Sequence, residues 1–424
     1  MNQADSLRFE QDLRSRGAVE GSSSEADLVL VNTCSVTATA DQGARQTIRR
    51  VARDNPGARI VVTGCYASRC ASDLAALPAV VAVVGNSRKD TIVDDLYAGD
   101  LLPTALRFGD GEGPCGGVEP GTAGRTAFTL RVQTGCEERC SYCIIPTTRG
   151  AGRSTPVVDV VRAVERAAAA GFKEIALTGV HLGSYGRDLE PCRSLLDLLR
   201  ALDSCAADVV FRISSLEPMD CTPEIVHIVA TSGSRFAPHF HLPLQHASDV
   251  VLTAMRRPYT LTAYRRLVET IAARVPSVSI GSDVIVGFPG ETDADFERNM
   301  DYLPRSPLSH LHVFPYSDRP GTAAAAMKNK VDGVAVRDRG RALRAVGADL
   351  TRRFRASQVG VVRHGLTVED GSLVVTDNYL KVRIPDGVAR NERVRVRIDE
   401  AGEYLRGTVV RGDGYDMSAG RSRL

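Results

Sequence analysis

Residues 134–146 read TGCEERCSYCIIP: three cysteines, spaced by three and then two residues, directly behind the strand-like run FTLRVQTG. Three thiolates from one tight loop can ligate three irons of a four-iron cluster, leaving the fourth iron without a protein ligand and open to a substrate. A zinc site would want a fourth thiolate or a nearby histidine, and no second C-x-x-C pair occurs in the chain. Cys136, Cys140 and Cys143 are therefore read as cluster ligands.

Outward from this loop, six strand-like runs follow one another: FTLRVQTG, KEIALTGV, VVFRISSL, FHLPLQ, SIGSDVIVGF and HLHVFPY. Helical stretches such as VVDVVRAVERAAAAG separate most of them. A βα repeat of this kind predicts a central (β/α)6 partial TIM barrel over residues 125–357, with its site at the carboxyl ends of the strands.

Upstream, residues 4–16 have a polar helical pattern, ADLVLVNT and ARIVVTG read as strands, and residues 45–53 as a helix between them. This alternation predicts a doubly wound α/β module over residues 1–100. Both strands run into a cysteine, Cys34 and Cys65, so two thiols are expected at the carboxyl edge of one parallel sheet, where such folds build their sites. Taken alone, two cysteines at strand ends are more often structural. Residues 101–124 are rich in glycine, poor in large apolar groups and read as a linker.

Downstream of a basic helical segment (337–358) come the short alternating runs LVVTDN, YLKVRIPDG and ERVRVRIDEAG, which predict a small β-barrel over residues 360–424. Period-two alternation sets Arg393, Arg395 and Arg397 on one strand face and Val394, Val396 and Ile398 on the other. Aligned arginines suit phosphate, and Tyr379 or Tyr404 could stack on a base. Arg149 and Arg153 form a second basic pair, to be weighed against a merely solvated loop.

Composition bounds the rest. The 424 residues exceed what one core usually supports, and 43% hydrophobic with 25% charged residues is a globular balance. The opening MNQADSLRFEQDL lacks a basic start followed by an apolar stretch, so a cytoplasmic address and no membrane association are expected. In that compartment ten cysteines speak for metal or redox chemistry over disulfides. Cys115, Cys192, Cys205 and Cys221 lack ligand spacing and read as small apolar residues.

The C-x-x-x-C-x-x-C loop resembles the radical S-adenosylmethionine superfamily. With NTCSVT, VTGCYA, HLPLQHASDVVLTAMRR, DVIVGFPGET and VFPYSDRPGT in order along nearly the whole chain, the sequence resembles the methylthiotransferases of that superfamily. The resemblance implies two 4Fe-4S clusters: a radical cluster chelating S-adenosylmethionine, and an auxiliary one held in part by Cys34 and Cys65. It implies insertion of a methylthio group at an unactivated C–H bond. One S-adenosylmethionine methylates a sulfur on the auxiliary cluster, and a second yields a 5′-deoxyadenosyl radical that abstracts the hydrogen.

It also implies that the terminal β-barrel is a TRAM domain binding a tRNA anticodon arm, that a flavodoxin- or ferredoxin-type donor supplies electrons, and that the chain works as a monomer. Thr178, Gly179, His181, Ser214, Ser215 and Glu217, at the ends of the second and third barrel strands, become cofactor neighbours by this resemblance, against local turn or capping roles. The loop LTGVHLGSYGRDL resembles the branch that modifies C2 of N6-threonylcarbamoyladenosine beside the anticodon. The isopentenyladenosine and ribosomal-protein branches, and a catalytically impaired RNA-binding homologue, are the alternatives.

The sequence departs from the family at one place. The auxiliary site takes three cysteines there, the first placed two residues ahead of the position of Met1 in a G-C-x-x-N-Q context; Asn2 and Gln3 are present and the cysteine is not. A doubly wound sheet without its first strand would leave apolar faces and backbone groups unpaired. A start assigned too far downstream is expected, with Cys70 as the less favoured substitute ligand.

Overall fold

The computed structural model describes residues 1–99, 118–121, 126–385 and 387–410; most of the expected linker, with Cys115, lies outside them. The chain divides into two compact units, each described by itself. One comprises Met1–Glu119, Thr134–Gly152 and Ser317–Ala325; the other comprises Pro120–Gln133, Arg153–Tyr316 and Ala326–Leu424.

In the first unit, β1 (Leu28–Thr33), β2 (Arg59–Gly64) and β3 (Val80–Val84) form a parallel sheet in that order. Neighbouring residues of β2 face opposite sides. Ile60 and Val62 pack with Ile48 and Val51 of helix Ala38–Asp54, while Val61 packs with Phe9 of helix Asn2–Ser15 and with Ile92 and Leu96. Helices thus cover both faces, as the doubly wound reading requires, and each fully buried aliphatic side chain contributes about 1.5–3 kcal/mol. The helix expected at 45–53 begins earlier, at Ala38, because the Thr37 side chain accepts from the backbone of Ala40 and caps it.

In the second unit, β4 (Phe128–Arg131), β5 (Glu174–Thr178), β6 (Val210–Ile213), β7 (His239–His241), β8 (Ser279–Val286) and β9 (His310–Pro315) are the six expected strands. They pair in parallel as β4-β5-β6 and β7-β8-β9, and a parallel bridge from Phe211 to Phe236 links the two sets. Phe211, Ile213, Ile280 and Val284 are fully or almost fully buried.

The same unit ends in a closed antiparallel-rich barrel of β10 (Val362–Val368), β11 (Leu373–Thr376), β12 (Lys381–Arg383), β13 (Arg393–Ala401) and β14 (Leu405–Val409). Val394, Val396 and Ile398 point into its core with Val374, Val382 and Leu405. No helix among the described residues is long and apolar enough to cross a membrane.

Candidate metal centre

The cysteine loop is shaped by backbone that only glycine accepts. Gly135 has φ +77°, and a Cβ there would stand 1.9 Å from the carbonyl oxygen of Ala151. The loop's two ends are tied where Cys136 N–H donates to Gly150 O at 3.0 Å, and a turn from Cys140 O to Cys143 N–H, 3.1 Å, closes its tip. Ala324 N–H donates to Ser141 O at 2.7 Å, so the returning segment fixes the loop from outside. Cys136, Cys140 and Cys143 are half-buried thiols. Three soft donors on one pinned loop, with no fourth thiol on it, fit a four-iron cluster with one open iron.

Cys34 and Cys65 follow Thr33 and Gly64, which face each other in the β1–β2 register. The strand ends approach closely because Gly64, at φ +104°, has no Cβ; one would lie 2.1 Å from Thr33 O. Cys65 is buried and its sulfur receives two donors, Arg149 Nε at 3.3 Å and Asn86 Nδ2 at 3.5 Å. Arg149 also donates to Asn2 Oδ1 (2.9 Å) and Thr134 Oγ1 (3.3 Å), and lies 3.4 Å from Asp5 Oδ2. Lys89 Nζ bonds Asp5 at 2.6 Å and Asn32 Oδ1 at 2.9 Å, and burial pushes the Lys89 pKa down. Two thiols beside a buried, cation-rich hydrogen-bond network suit an anionic sulfur-ligated group. Cys70 instead packs against the Ile48 and Leu74 core.

In the second unit, Thr178 ends β5, and Gln133 Oε1 holds the turn beyond it by accepting from Val180 N–H (3.0 Å) and His181 N–H (2.9 Å). The His181 ring is buried against Asp220, Nε2 to Oδ2 2.7 Å. Gly179 leaves no room for a side chain, since a Cβ would meet Leu182 at 2.8 Å and Gln133 at 3.1 Å. Ser214 N–H donates to Leu177 O, the Ser215 hydroxyl lies 2.9 Å from His241 Nδ1, and Glu217 pairs with Arg257. His241, Asp283, His310 and His312 gather on the same sheet and were not singled out from the sequence. The signal was there: H-x-H occurs in two strand-like runs, and period two puts both members of each on one face.

The arginines divide. Arg149 is buried at Cys65 rather than displayed, whereas Arg153, Arg395 and Arg397 are exposed. Arg393 is held by Asp208, with Nη1 2.6 Å from its carboxylate and Nη2 on the carbonyls of Asp208 and Lys173.

Comparison with known proteins adds two family matches, the radical SAM superfamily over residues 130–303 and Uncharacterized protein family UPF0004 over residues 1–85. The threonylcarbamoyladenosine tRNA methylthiotransferase MtaB of Bacillus subtilis is 34% identical over 412 residues, covering 91% of this chain and 88% of that protein. The chain belongs to the radical S-adenosylmethionine methylthiotransferase family. This methylthiotransferase is also 33% identical to the ribosomal protein uS12 methylthiotransferase RimO of Saccharopolyspora erythraea, over 88% of the chain and 84% of the relative. Its fold is shared by the radical S-adenosylmethionine methyltransferase TsrM of Kitasatospora setae, with TM-score 0.51, 16% identity, and coverage of 76% and 67%. As a transferase of the radical SAM class, the methylthiotransferase takes a 4Fe-4S cluster and S-adenosylmethionine.

Proposed function

We propose that the protein transfers a methylthio group to C2 of N6-threonylcarbamoyladenosine next to the anticodon of tRNA, using two clusters. The observation that carries the substrate is similarity over 88% of a relative named for that activity. Cys136, Cys140 and Cys143 would hold the radical cluster, and Cys34 and Cys65 would contribute to the auxiliary one. The clusters and S-adenosylmethionine would supply the electron, the methyl group, the sulfur and the hydrogen-abstracting radical.

The chain's own residues bind and orient. Arg149 and Asn86 hold the Cys65 sulfur in place by hydrogen bonds. Thr178, Gly179, Ser214 and Ser215 line the strand ends where the cofactor would sit, while the Glu217–Arg257 and His181–Asp220 pairs fix the loops behind them. Residues 1–100 serve as the auxiliary-cluster domain, 125–357 as the radical domain, with Arg153 as a further RNA contact, and 360–424 as the RNA-binding barrel, through Arg395 and Arg397. A flavodoxin- or ferredoxin-type protein delivers the electron in the cytoplasm.

The test is mass analysis of tRNA nucleosides and ribosomal proteins from a strain lacking the gene. Selective loss of the 2-methylthio form of threonylcarbamoyladenosine supports the reading. Loss instead from isopentenyladenosine, or from a ribosomal protein, overturns it.

A further inference from the structure

On β8 the even positions face the helices: Tyr264 of helix Leu261–Arg274 donates its hydroxyl to Ser282 Oγ at 3.1 Å, and Ile280, Val284 and Val286 are fully buried. Gly281, Asp283 and Ile285 therefore face the opposite side, the inner wall of the partial barrel. A Cβ on Gly281 would meet His310 Nε2 at 2.1 Å and His241 Cδ2 at 3.0 Å, so both rings lie over that glycine on the same wall. His239 and His312, each two residues along its strand, share it. Four of the chain's eight histidines thus gather on two strands, β7 and β9, on either side of β8, with ring centroids 5.4–6.3 Å apart.

The wall is graded. At its amino-terminal end the small β-barrel's Tyr379 covers His239 (5.1 Å), and burial together with Arg212 holds His239 well below the ordinary histidine pKa. Burial, with the neighbouring His312 and His241, brings His310 to about 4. Both rings are neutral near pH 7. Toward the carboxyl ends, one oxygen of Asp283 accepts from His241 Nε2 (3.1 Å) and from His312 Nδ1 (3.2 Å), and Ser215 holds the other nitrogen of His241. Asp283 stays ionised, its pKa brought to about 2 against its burial by those two bonds. The bond to Asp283 raises the His312 pKa, favouring the imidazolium form. The His312 side chain is 56% exposed, and no group among the described residues bonds its Nε2.

We propose that His312, oriented by Asp283, binds a carboxylate carried on the N6 substituent of the target base. The proposal rests on the substrate reading above, because a threonylcarbamoyl group ends in a carboxylate and an isopentenyl group does not. A fixed N–H donor with positive character makes a short, charge-assisted bond to a carboxylate. A substituent without that charge forgoes the charge-assisted bond, so the site favours the acid over an uncharged analogue.

The reconstituted holoenzyme would be given anticodon stem-loops carrying either threonylcarbamoyladenosine or its carboxyl methyl ester, with kcat and KM measured for the methylthio product and total metal counted. The wild-type enzyme is expected to favour the free acid by at least tenfold in kcat/KM. His312→Gln and His312→Phe are expected to bring that ratio near one, mainly through KM for the acid, at wild-type iron content and melting temperature. An unchanged ratio in both folded variants overturns the proposal, as does an extra equivalent of zinc or iron that His312→Phe removes. A wild-type enzyme that leaves threonylcarbamoyladenosine untouched but modifies isopentenyladenosine overturns the substrate reading instead.

Discussion

Arg149 Nε donates to Cys65 Sγ at 3.3 Å, while the guanidinium's Nη2 reaches Asp5 and Asn2. One side chain on the radical-cluster loop thereby holds a ligand of the candidate auxiliary site. Arg149→Ala removes one of the sulfur's two donors and one of the two cations at buried Asp5, whose pair with Lys89 remains, so the cost falls below the roughly 3–5 kcal/mol of breaking a lone buried pair. The expected result is a lower urea midpoint and loss of about four irons per chain on reconstitution. Arg149→Lys, which keeps a charge but not the fork, should lose less stability and, on the proposed two-cluster reading, shift the midpoint potential of the auxiliary cluster.

Single Cys136→Ala, Cys140→Ala and Cys143→Ala variants should each abolish S-adenosylmethionine cleavage, since on the proposed assignment every one removes a third of the protein ligands of the radical cluster. Cys192→Ala, at an exposed position, serves as the control and should cleave normally. Product analysis for 5′-deoxyadenosine reads both.

Gly64→Ala would drive a methyl group to 2.1 Å from Thr33 O at a φ of +104°. Strain of that kind costs about 1–3 kcal/mol or more and would pry apart the two strand ends that carry Cys34 and Cys65. Iron should fall toward one cluster per chain, with S-adenosylmethionine cleavage retained and methylthio product lost; elemental analysis beside both assays decides.

Arg395→Ala should weaken tRNA binding about uniformly and reduce the salt slope by about 0.7–0.9 if the barrel meets RNA phosphates there. Arg393→Ala should act differently, because Arg393 is tied to Asp208 and to two carbonyls. Its expected effect is a lower melting temperature at nearly unchanged salt slope. Equal salt-slope changes for the two variants would contradict the assignment of the exposed arginine as the phosphate contact.

Asp197 and Ser194 form a reciprocal cap at the start of helix Leu195–Ser204, worth about 1 kcal/mol. The hydrogen bond from the Ser194 side chain lowers the Asp197 pKa. A depressed folded-state pKa gives stability that is present above the unfolded value and lost as pH falls through the folded one. The difference in melting temperature between wild type and Asp197→Ala should therefore be largest near neutrality and shrink in acid.

The six barrel strands were legible because each is a run of β-formers followed by a helical period, and two strands of the amino-terminal sheet were legible for the same reason. β10 and β14 were not picked out: Gly365 and Gly407 interrupt them, and each glycine is there because strands crowd it. A Cβ on Gly365 would lie 2.4 Å from Val374 Cγ1, and one on Gly407 would lie 2.4 Å from Arg397 O. The pinned turn that carries Cys136, Cys140 and Cys143 is local, so their closeness follows from spacing alone. The histidine wall could not be read that way, since His241, Asp283 and His312 meet only when three separated strands pair. Arg149 looked like a basic surface residue because charge says nothing of burial, and its carboxylate partner is 144 positions away.

Asp41, near the amino terminus, is bonded at 2.8 Å by Arg319, and the cysteine loop waits for Ala324. During synthesis the ribosome must add most of the chain between the two halves of that ion pair, a delay of tens of seconds at about 5–20 residues per second. The thiols that would receive iron are thus made early and braced late.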